Sequence, residues 1–242
     1  MCCFGAALAG MALRVWLPDR HVDTDSREVM KLVLGLIATM AALVLGLLIA
    51  SAKSSYDTQE TELQQVSVNI VQIDEMLALY GPQTREIRKM LNVAVTDAHE
   101  RIWPTNHGTP EITNPADRQA ITNAFYEKLH ELTPTTPAQH YALNAALQLA
   151  STLGHTRILM FEQLGGAISW PLLTILIFWV TVLFLGFGLF ARFHLTITVA
   201  FVVGALSVAS AIFLILEMSR PYEGVMRISD APLRNALNAI DR

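Results

Sequence analysis

The chain has 242 residues, of which 52% are hydrophobic and only 16% are charged, whereas about 25% are charged in ordinary soluble domains. The mean hydropathy is +0.40, and residues 32–52, 163–191 and 193–216 contain no Asp, Glu, Lys or Arg. Uncharged runs of this length exclude a soluble globular enzyme, a disordered chain and a collagen-like chain. The net charge of −4 excludes a strongly basic surface, so no nucleic-acid partner is predicted. The only cysteines, Cys2 and Cys3, are adjacent, which excludes a disulfide framework and a cysteine-based zinc site.

The first apolar segment is short. Residues 1–13 are uncharged, but Arg14 follows them, so a helix there is only about 20 Å long. We interpret residues 1–17 as a partial or short first transmembrane segment. Local thinning of the bilayer completes this span, or the chain starts inside a longer natural span. Residues 18–31 are predicted to form a connecting loop.

The clearest transmembrane helix covers residues 32–52, which Lys31 and Lys53 bracket. At about 1.5 Å per residue it matches a hydrocarbon core of about 30 Å. Small residues recur at every fourth position within it, and this spacing predicts a helix-packing face. The face consists of Ala38, Ala42, Gly46 and Ala50. The alternative is that small residues are simply frequent in membrane helices.

Residues 53–165 are predicted to form an extramembrane bundle of about four helices. Nothing between residues 32 and 80 breaks a helix, so the first bundle helix is continuous with the second span. A heptad seam of apolar residues follows that helix, and packs either inside one chain or between chains. It consists of Leu63, Val66, Ile70, Ile73, Leu77 and Tyr80. Gly81 and Pro82 end this helix and open the next one.

Two further transmembrane helices are predicted at residues 168–191 and 197–217, and the short connection makes them an antiparallel hairpin. Neither apolar run contains an ionisable residue apart from the ends, which argues against a proton relay inside the spans. The tail at residues 218–242 is predicted to contain a short amphipathic helix. The fold class is therefore an all-α polytopic membrane protein with about four transmembrane helices.

Charged residues mark the predicted membrane exits. Four crossings place the end of the second span and the end of the fourth span on the same side. Lys53 is then expected to pair with Glu217, and Asp57 with Arg220, or all four simply mark the water boundary. The basic flank of the first span follows that span, which favours the larger domain on the non-cytoplasmic side.

The sequence contains no motif that indicates catalysis. There is no nucleotide-binding glycine loop, nucleophile elbow, metalloprotease helix or calcium loop. The seven histidines lack metal-ligand spacing, and His99 is expected to be an ordinary surface or capping residue. No catalytic, metal-binding or cofactor-binding residue is predicted, and the protein is expected not to be an enzyme.

Several stretches resemble the bacterial "bestrophin-like" integral membrane family. They are residues 51–59 after the second span, Ile102-Trp103-Pro104, the run LEMSRPYEGVMRIS at 216–229 and Ala231-Pro232-Leu233-Arg234-Asn235-Ala236-Leu237. The resemblance implies a multi-pass protein of the bacterial inner membrane. The family name implies kinship with bestrophins, which are pentameric ion channels.

These observations favour a non-enzymatic membrane scaffold or sensor of otherwise uncharacterised function. The alternative is a homo-oligomeric bestrophin-like ion channel, with pore faces that include Thr39 and Ser51, or Ser207 and Ser210. The expected partners are the lipid bilayer, further copies of the chain and a protein that binds residues 53–165. An enzyme acting at the membrane surface is a third interpretation, for which the sequence shows no cluster of catalytic groups.

Overall fold

Helices account for all regular structure in the part of the chain that is described, which confirms the all-α class. The computed structural model describes residues 2–16, 24–104, 115–164, 169–191 and 194–240. Within these ranges there is no strand. The α-helices are α1 (Cys2–Trp16), α2 (Thr24–Tyr80), α3 (Arg85–Ile102), α4 (Pro115–His130), α5 (Pro137–Leu164), α6 (Trp170–Phe190), α7 (Leu195–Met218) and α8 (Ala231–Ile240), with a short 3-10 helix at Pro82–Thr84 before α3.

Among the described residues, three helices are long and apolar enough to cross a membrane. They lie at Glu28–Tyr80 within α2, at Trp170–Phe190 and at Leu195–Met218. The helix α1 has 15 residues, a length of about 22 Å, which is shorter than the hydrocarbon core. The protein is therefore a membrane protein with three candidate spans, and the fourth crossing stays a prediction.

The helix α2 begins earlier than the sequence suggests. Residues 18–31 are predicted to form a loop, but the helix starts at Thr24. Its first residues, from Thr24 to Lys31, are largely polar and precede the apolar run. Some residues of the predicted segments lie outside the described part of the chain, namely 1, 17–23, 105–114, 165, 168 and 241–242.

The chain divides into two compact units. One unit comprises Met1–Tyr56 and Gly166–Ser219, and the other comprises Asp57–Gly165 and Arg220–Arg242. We call them the membrane unit and the extramembrane unit after the sequence prediction that residues 53–165 lie outside the membrane. One boundary falls inside α2, three residues after Lys53, and another falls just after α7. Both lie next to the positions where the charge pattern predicts that the chain leaves the membrane.

In the membrane unit, α1 packs against α6 through backbone contacts. A Cβ atom on Gly188 would collide with the carbonyl oxygen of Ala7, and one on Gly10 would collide with the carbonyl oxygen of Leu185. Ala7 is fully buried, and Met11 is 1% exposed. Glycine at these positions therefore allows the close approach of the two backbones.

The helices α2, α6 and α7 share one apolar core in this unit. Gly186 of α6 lies against the side chain of Leu34 on α2. The buried members are leucine-rich and come from one stripe of each helix. They are Leu34, Ala41, Leu48, Ala52, Leu173, Leu176, Val180, Leu183, Ile215 and Met218.

In the extramembrane unit, the heptad seam is buried within a single chain. Five of its six residues are buried, and Val66 is half-buried. Of the two predicted packing modes, packing inside one chain therefore explains the burial of the seam. The helix α2 ends before Gly81, whose φ of 127° favours glycine. The hydroxyl of the fully buried Thr84 lies 2.5 Å from the carbonyl oxygen of Leu77 and closes this turn.

A partly buried ion pair joins α2 to α3. The Nε and Nη2 groups of Arg88 each donate a hydrogen bond of 2.7 Å to the carboxylate of Asp74. The side chain of Asp74 is only 8% exposed. This hydrogen bonding raises the pKa of Arg88 and satisfies a carboxylate that would be costly to bury alone.

Side-chain hydrogen bonds also fasten α5. Gln139 and Thr136 form a capping box at its N-terminus, in which the backbone N–H of Gln139 donates to the Thr136 hydroxyl at 3.2 Å. The amide of Gln139 also donates to the carbonyl oxygen of Tyr80 at 3.1 Å. The hydroxyl of Tyr126 on α4 donates to the carbonyl oxygen of Ala150 at 2.8 Å. The N-terminus and the middle of the capped helix are thus tied to different neighbours.

Gly188→Ala is expected to destabilise the protein relative to Gly35→Ala. The new methyl group meets the carbonyl of Ala7 in the first variant and nothing within 4 Å in the second. Both substitutions change helix propensity equally, so their difference isolates the overpacking cost of about 1–3 kcal/mol. Thermal unfolding in detergent measures it. Equal midpoints for the two variants would contradict the close packing of α1 on α6.

Candidate functional site

The four predicted exit residues lie at or near the surface. Lys53, Asp57 and Arg220 are exposed, and Glu217 is half-buried. The ammonium of Lys53 lies 5.6 Å from the centre of the Tyr56 ring, within the range of a cation–π interaction. The pairings of Lys53 with Glu217 and of Asp57 with Arg220 stay predictions.

The predicted small-residue face of α2 is open in the single chain. Ala42, Gly46 and Ala50 are exposed, and Ala38 is half-buried. No atom lies within 4 Å of a Cβ built on Gly46. The core of the membrane unit uses a neighbouring stripe of α2 instead. The packing of this face against a helix of another chain stays a prediction.

The segment that follows α7 forms a closed loop. The backbone N–H of Ile228 donates a hydrogen bond of 2.7 Å to the carbonyl oxygen of Pro221. Between them, Gly224 has a φ of 81°, a conformation that glycine adopts without strain. We call residues 221–228 the post-span loop. Its conformation is set by its own backbone and by contacts with α2 and α3.

Two hydrogen bonds fasten the post-span loop to the helices of the extramembrane unit. The hydroxyl of Tyr222 donates to Oε1 of Gln59 on α2 at 3.1 Å. The indole N–H of Trp103, at the end of α3, donates to the carbonyl oxygen of Ile228 at 3.1 Å. Trp103 is 5% exposed and Ile228 is 3% exposed, so this second bond is shielded from water.

Aromatic ring contacts and the His99–Asp230 pair lie beside the hydrogen bonds of Trp103 and Tyr222. The rings of Trp103 and Tyr222 meet edge to face at 5.8 Å, and that of His99 lies 5.7 Å from Trp103. Nε2 of His99 lies 3.3 Å from Oδ2 of Asp230, just before α8. His99 thus bonds a carboxylate from a distant part of the chain, whereas the sequence suggests an ordinary surface or capping role.

Burial changes the electrostatics of Tyr222. Desolvation raises the pKa of its hydroxyl strongly, and repulsion from the carboxylate of Glu62 adds to the effect. The hydroxyl therefore stays protonated over the physiological range and remains a hydrogen-bond donor to Gln59. The interaction depends on this donor, because the ionised form would be buried next to Glu62.

The helix α8 continues the attachment of the tail. Its buried face consists of Leu233, Ala236 and Ile240, and it packs against α3. The predicted amphipathic helix of the tail is therefore placed against protein. Among the described residues, no group of three or more His, Cys, Asp and Glu side chains is arranged to hold a metal ion.

The sequence alone does not single out the cluster of Gln59, His99, Trp103, Tyr222 and Asp230. Its members are up to 171 positions apart in the sequence, and no spacing rule connects them. The family resemblance is the one feature of the sequence that points to this cluster, because Ile102-Trp103-Pro104 and the Arg220–Gly224 stretch both lie in segments that carry it. These two segments meet in the structure.

A comparison with protein families finds a match over most of the chain. A family model described as "Bestrophin-like domain" matches residues 1–233. The resemblance inferred from the quoted stretches is thereby confirmed. No curated protein and no solved structure matches the chain.

Tyr222→Phe is expected to lower stability at neutral pH by about 1 kcal/mol, since one hydrogen bond is lost. Above about pH 10 an unfolded tyrosine ionises, whereas the raised pKa keeps folded Tyr222 protonated. The unfolded state then binds fewer protons, so wild-type stability falls as pH rises. The difference between wild type and variant should therefore shrink at alkaline pH.

Denaturant unfolding of the full chain at a series of pH values measures this difference. Tyr141→Phe is the matched control, because Tyr141 is 65% exposed, and its removal should leave the pH profile unchanged. Parallel wild-type and Tyr222→Phe profiles up to pH 11 would contradict the assigned burial of the hydroxyl.

Proposed function

The chain belongs to the bestrophin-like family, and we propose that it is a non-enzymatic membrane scaffold or sensor. In this proposal the extramembrane unit binds a protein partner, and α2 transmits the binding event to the membrane unit. The bacterial inner membrane is the proposed location, with the extramembrane unit on the non-cytoplasmic side. The observation that carries the proposal is the continuity of α2 from Thr24 to Tyr80.

Continuity matters because one helix belongs to the core of both units. Leu34 and Leu48 of α2 are buried in the membrane unit, and Ile73 and Leu77 are buried in the extramembrane unit. The helical hydrogen bonds run without interruption between these positions. A rotation or shift of α2 in one core therefore reaches the other core through a stiff element.

The post-span loop supplies a second attachment. Tyr222 and Trp103 connect the chain leaving α7 to α2 and α3 within the extramembrane unit. The extramembrane unit is thus linked to two candidate spans, α2 and α7, by short stretches of well-bonded chain. A partner that displaces its helices would act on both.

Coupling through α2 can be tested with a nitroxide in the span. The label is attached to Ala42→Cys, an exposed position, in a Cys2→Ala/Cys3→Ala background and in lipid vesicles. An antibody fragment that binds the extramembrane unit is expected to change the nitroxide spectrum. Adding Ser55→Pro should remove the change because proline interrupts the helix, whereas Ser55→Ala should retain it.

An unchanged spectrum with several fragments that bind different epitopes would contradict coupling. Circular dichroism of the Ser55→Pro variant serves as the control for folding. A change that survives Ser55→Pro would mean that α2 is not the element that transmits it.

A homo-oligomeric ion channel is the second candidate, and the open face of α2 favours it. Ala42, Gly46 and Ala50 are exposed in a helix that is long and apolar enough to span a membrane. Small residues allow helices from different copies to approach closely. The hydroxyls of Thr39, Ser207 and Ser210 donate to backbone carbonyls of their own helices at 2.8, 2.9 and 2.9 Å. These hydroxyls therefore have a hydrogen-bond partner whether or not they line a water-filled pore.

Ion flux in proteoliposomes separates the two candidates. The scaffold or sensor is expected to give cation and anion flux no higher than empty vesicles, from protein shown to be folded and inserted. A channel is expected to give flux above that level, with a selectivity that changes in Lys53→Glu because Lys53 is exposed at the predicted exit. Flux of that kind would contradict the scaffold or sensor proposal.

A further inference from the structure

The tip of the post-span loop exposes apolar side chains. Val225 is 84% exposed and Met226 is 40% exposed. They are consecutive, and Arg220 and Arg227 on either side of the tip are also exposed, as is the acidic Glu223. Exposed large apolar residues beside basic ones are typical of segments that insert into a membrane interface.

The loop base lies at a level of α2 close to the predicted membrane exit. The hydroxyl of Tyr222 donates a hydrogen bond to Gln59 of α2. Gln59 comes six residues after Lys53 on α2, which corresponds to about 9 Å along the helix axis. The headgroup region of a bilayer is about 5–8 Å thick on each side. The loop also begins at Pro221, three residues after Met218 at the end of the candidate span α7, so its base lies close to a predicted membrane exit along the chain.

A second element at the same level also exposes apolar side chains. Ile158 is 62% exposed and Leu159 is 38% exposed near the end of α5. The neighbouring Met160 accepts a hydrogen bond of 3.5 Å from the amide of Gln59 through its carbonyl oxygen. Gln59 thus marks one level of α2 at which both the post-span loop and α5 expose large apolar side chains.

The loop is held in a fixed conformation while its tip is exposed. The Pro221–Ile228 hydrogen bond closes its base, and Trp103 bonds the Ile228 carbonyl. The backbone of the loop therefore loses little conformational entropy when its apolar tip enters a bilayer.

We propose that the post-span loop is a membrane-interface anchor, in which Val225 and Met226 insert among the lipid headgroups and upper acyl chains. The arginines on either side contact lipid phosphates, and the glutamate remains in water. This anchor attaches the post-span loop to the bilayer surface. It acts in the same way whether the protein is a scaffold, a sensor or a channel.

The depth of the tip can be measured by electron paramagnetic resonance on the full-length protein. Val225→Cys in a Cys2→Ala/Cys3→Ala background is labelled with a nitroxide and reconstituted into vesicles of phosphatidylcholine and phosphatidylglycerol in equal amounts. Collision rates are then recorded with oxygen, which partitions into lipid, and with a water-soluble nickel complex. The ratio of oxygen to nickel collisions at Val225 is expected to be several-fold higher than at a water-exposed control site.

Tyr141→Cys is the matched control. Tyr141 is 65% exposed, and it follows Gln139, which bonds the carbonyl oxygen of Tyr80. That carbonyl lies 27 residues beyond Lys53 along α2, a distance of about 40 Å. The control label therefore reports an exposed helical site far from the predicted exit.

A second reporter removes the possibility that the label itself drives insertion. The nitroxide is attached to Glu223→Cys, with Val225 and Met226 either unchanged or replaced by Val225→Asp and Met226→Asp. The oxygen-to-nickel ratio at residue 223 is expected to fall several-fold in the Asp variant. A ratio at Val225 equal to that at Tyr141, or no change at residue 223, would overturn the proposal. Dipolar broadening between labels on different chains, without increased oxygen collisions, would assign the tip to a second copy and would also overturn it.

Discussion

The architecture depends on one continuous helix that contributes to the cores of two compact units. The helix α2 has 57 residues and is about 86 Å long, far more than a bilayer requires. Because an α-helix pairs its own N–H and C=O groups, it can pass from hydrocarbon to water without a break. Only the side chains must change along its length, from the Leu34–Ala52 stripe to the heptad seam after Lys53.

Different interactions stabilise the interior of each unit. In the membrane unit, α1 meets α6 through Gly10 and Gly188, whose missing side chains let backbones touch. Apolar side chains gain little by leaving lipid for protein, so close contact supplies the stabilisation there. In the extramembrane unit the heptad seam is buried from water, and the Asp74–Arg88 pair adds directional bonds between α2 and α3. Hydrophobic burial stabilises that unit in the ordinary way.

Local sequence rules predicted where α2 ends. Gly81 follows its last residue, as expected, because glycine accepts the positive φ there, and Pro82 begins the 3-10 segment that precedes α3. The start of α2 at Thr24 was missed, since hydropathy reports the apolar part of a helix and not its polar extension. The heptad seam was predicted residue by residue, but its spacing is the same for a partner helix inside or outside the chain. Burial in the single chain decided that question.

The sequence by itself determined the helical class and three helices apolar enough to span a membrane, because these follow from composition and periodicity along one helix. Only the tertiary structure decided which face of α2 enters the core of the membrane unit. That face is the Leu34, Ala41 and Leu48 stripe, and the small-residue face remains open. The tertiary structure also brought Trp103 and Tyr222 together from distant segments. No local rule contains this information, since such contacts depend on how whole helices pack.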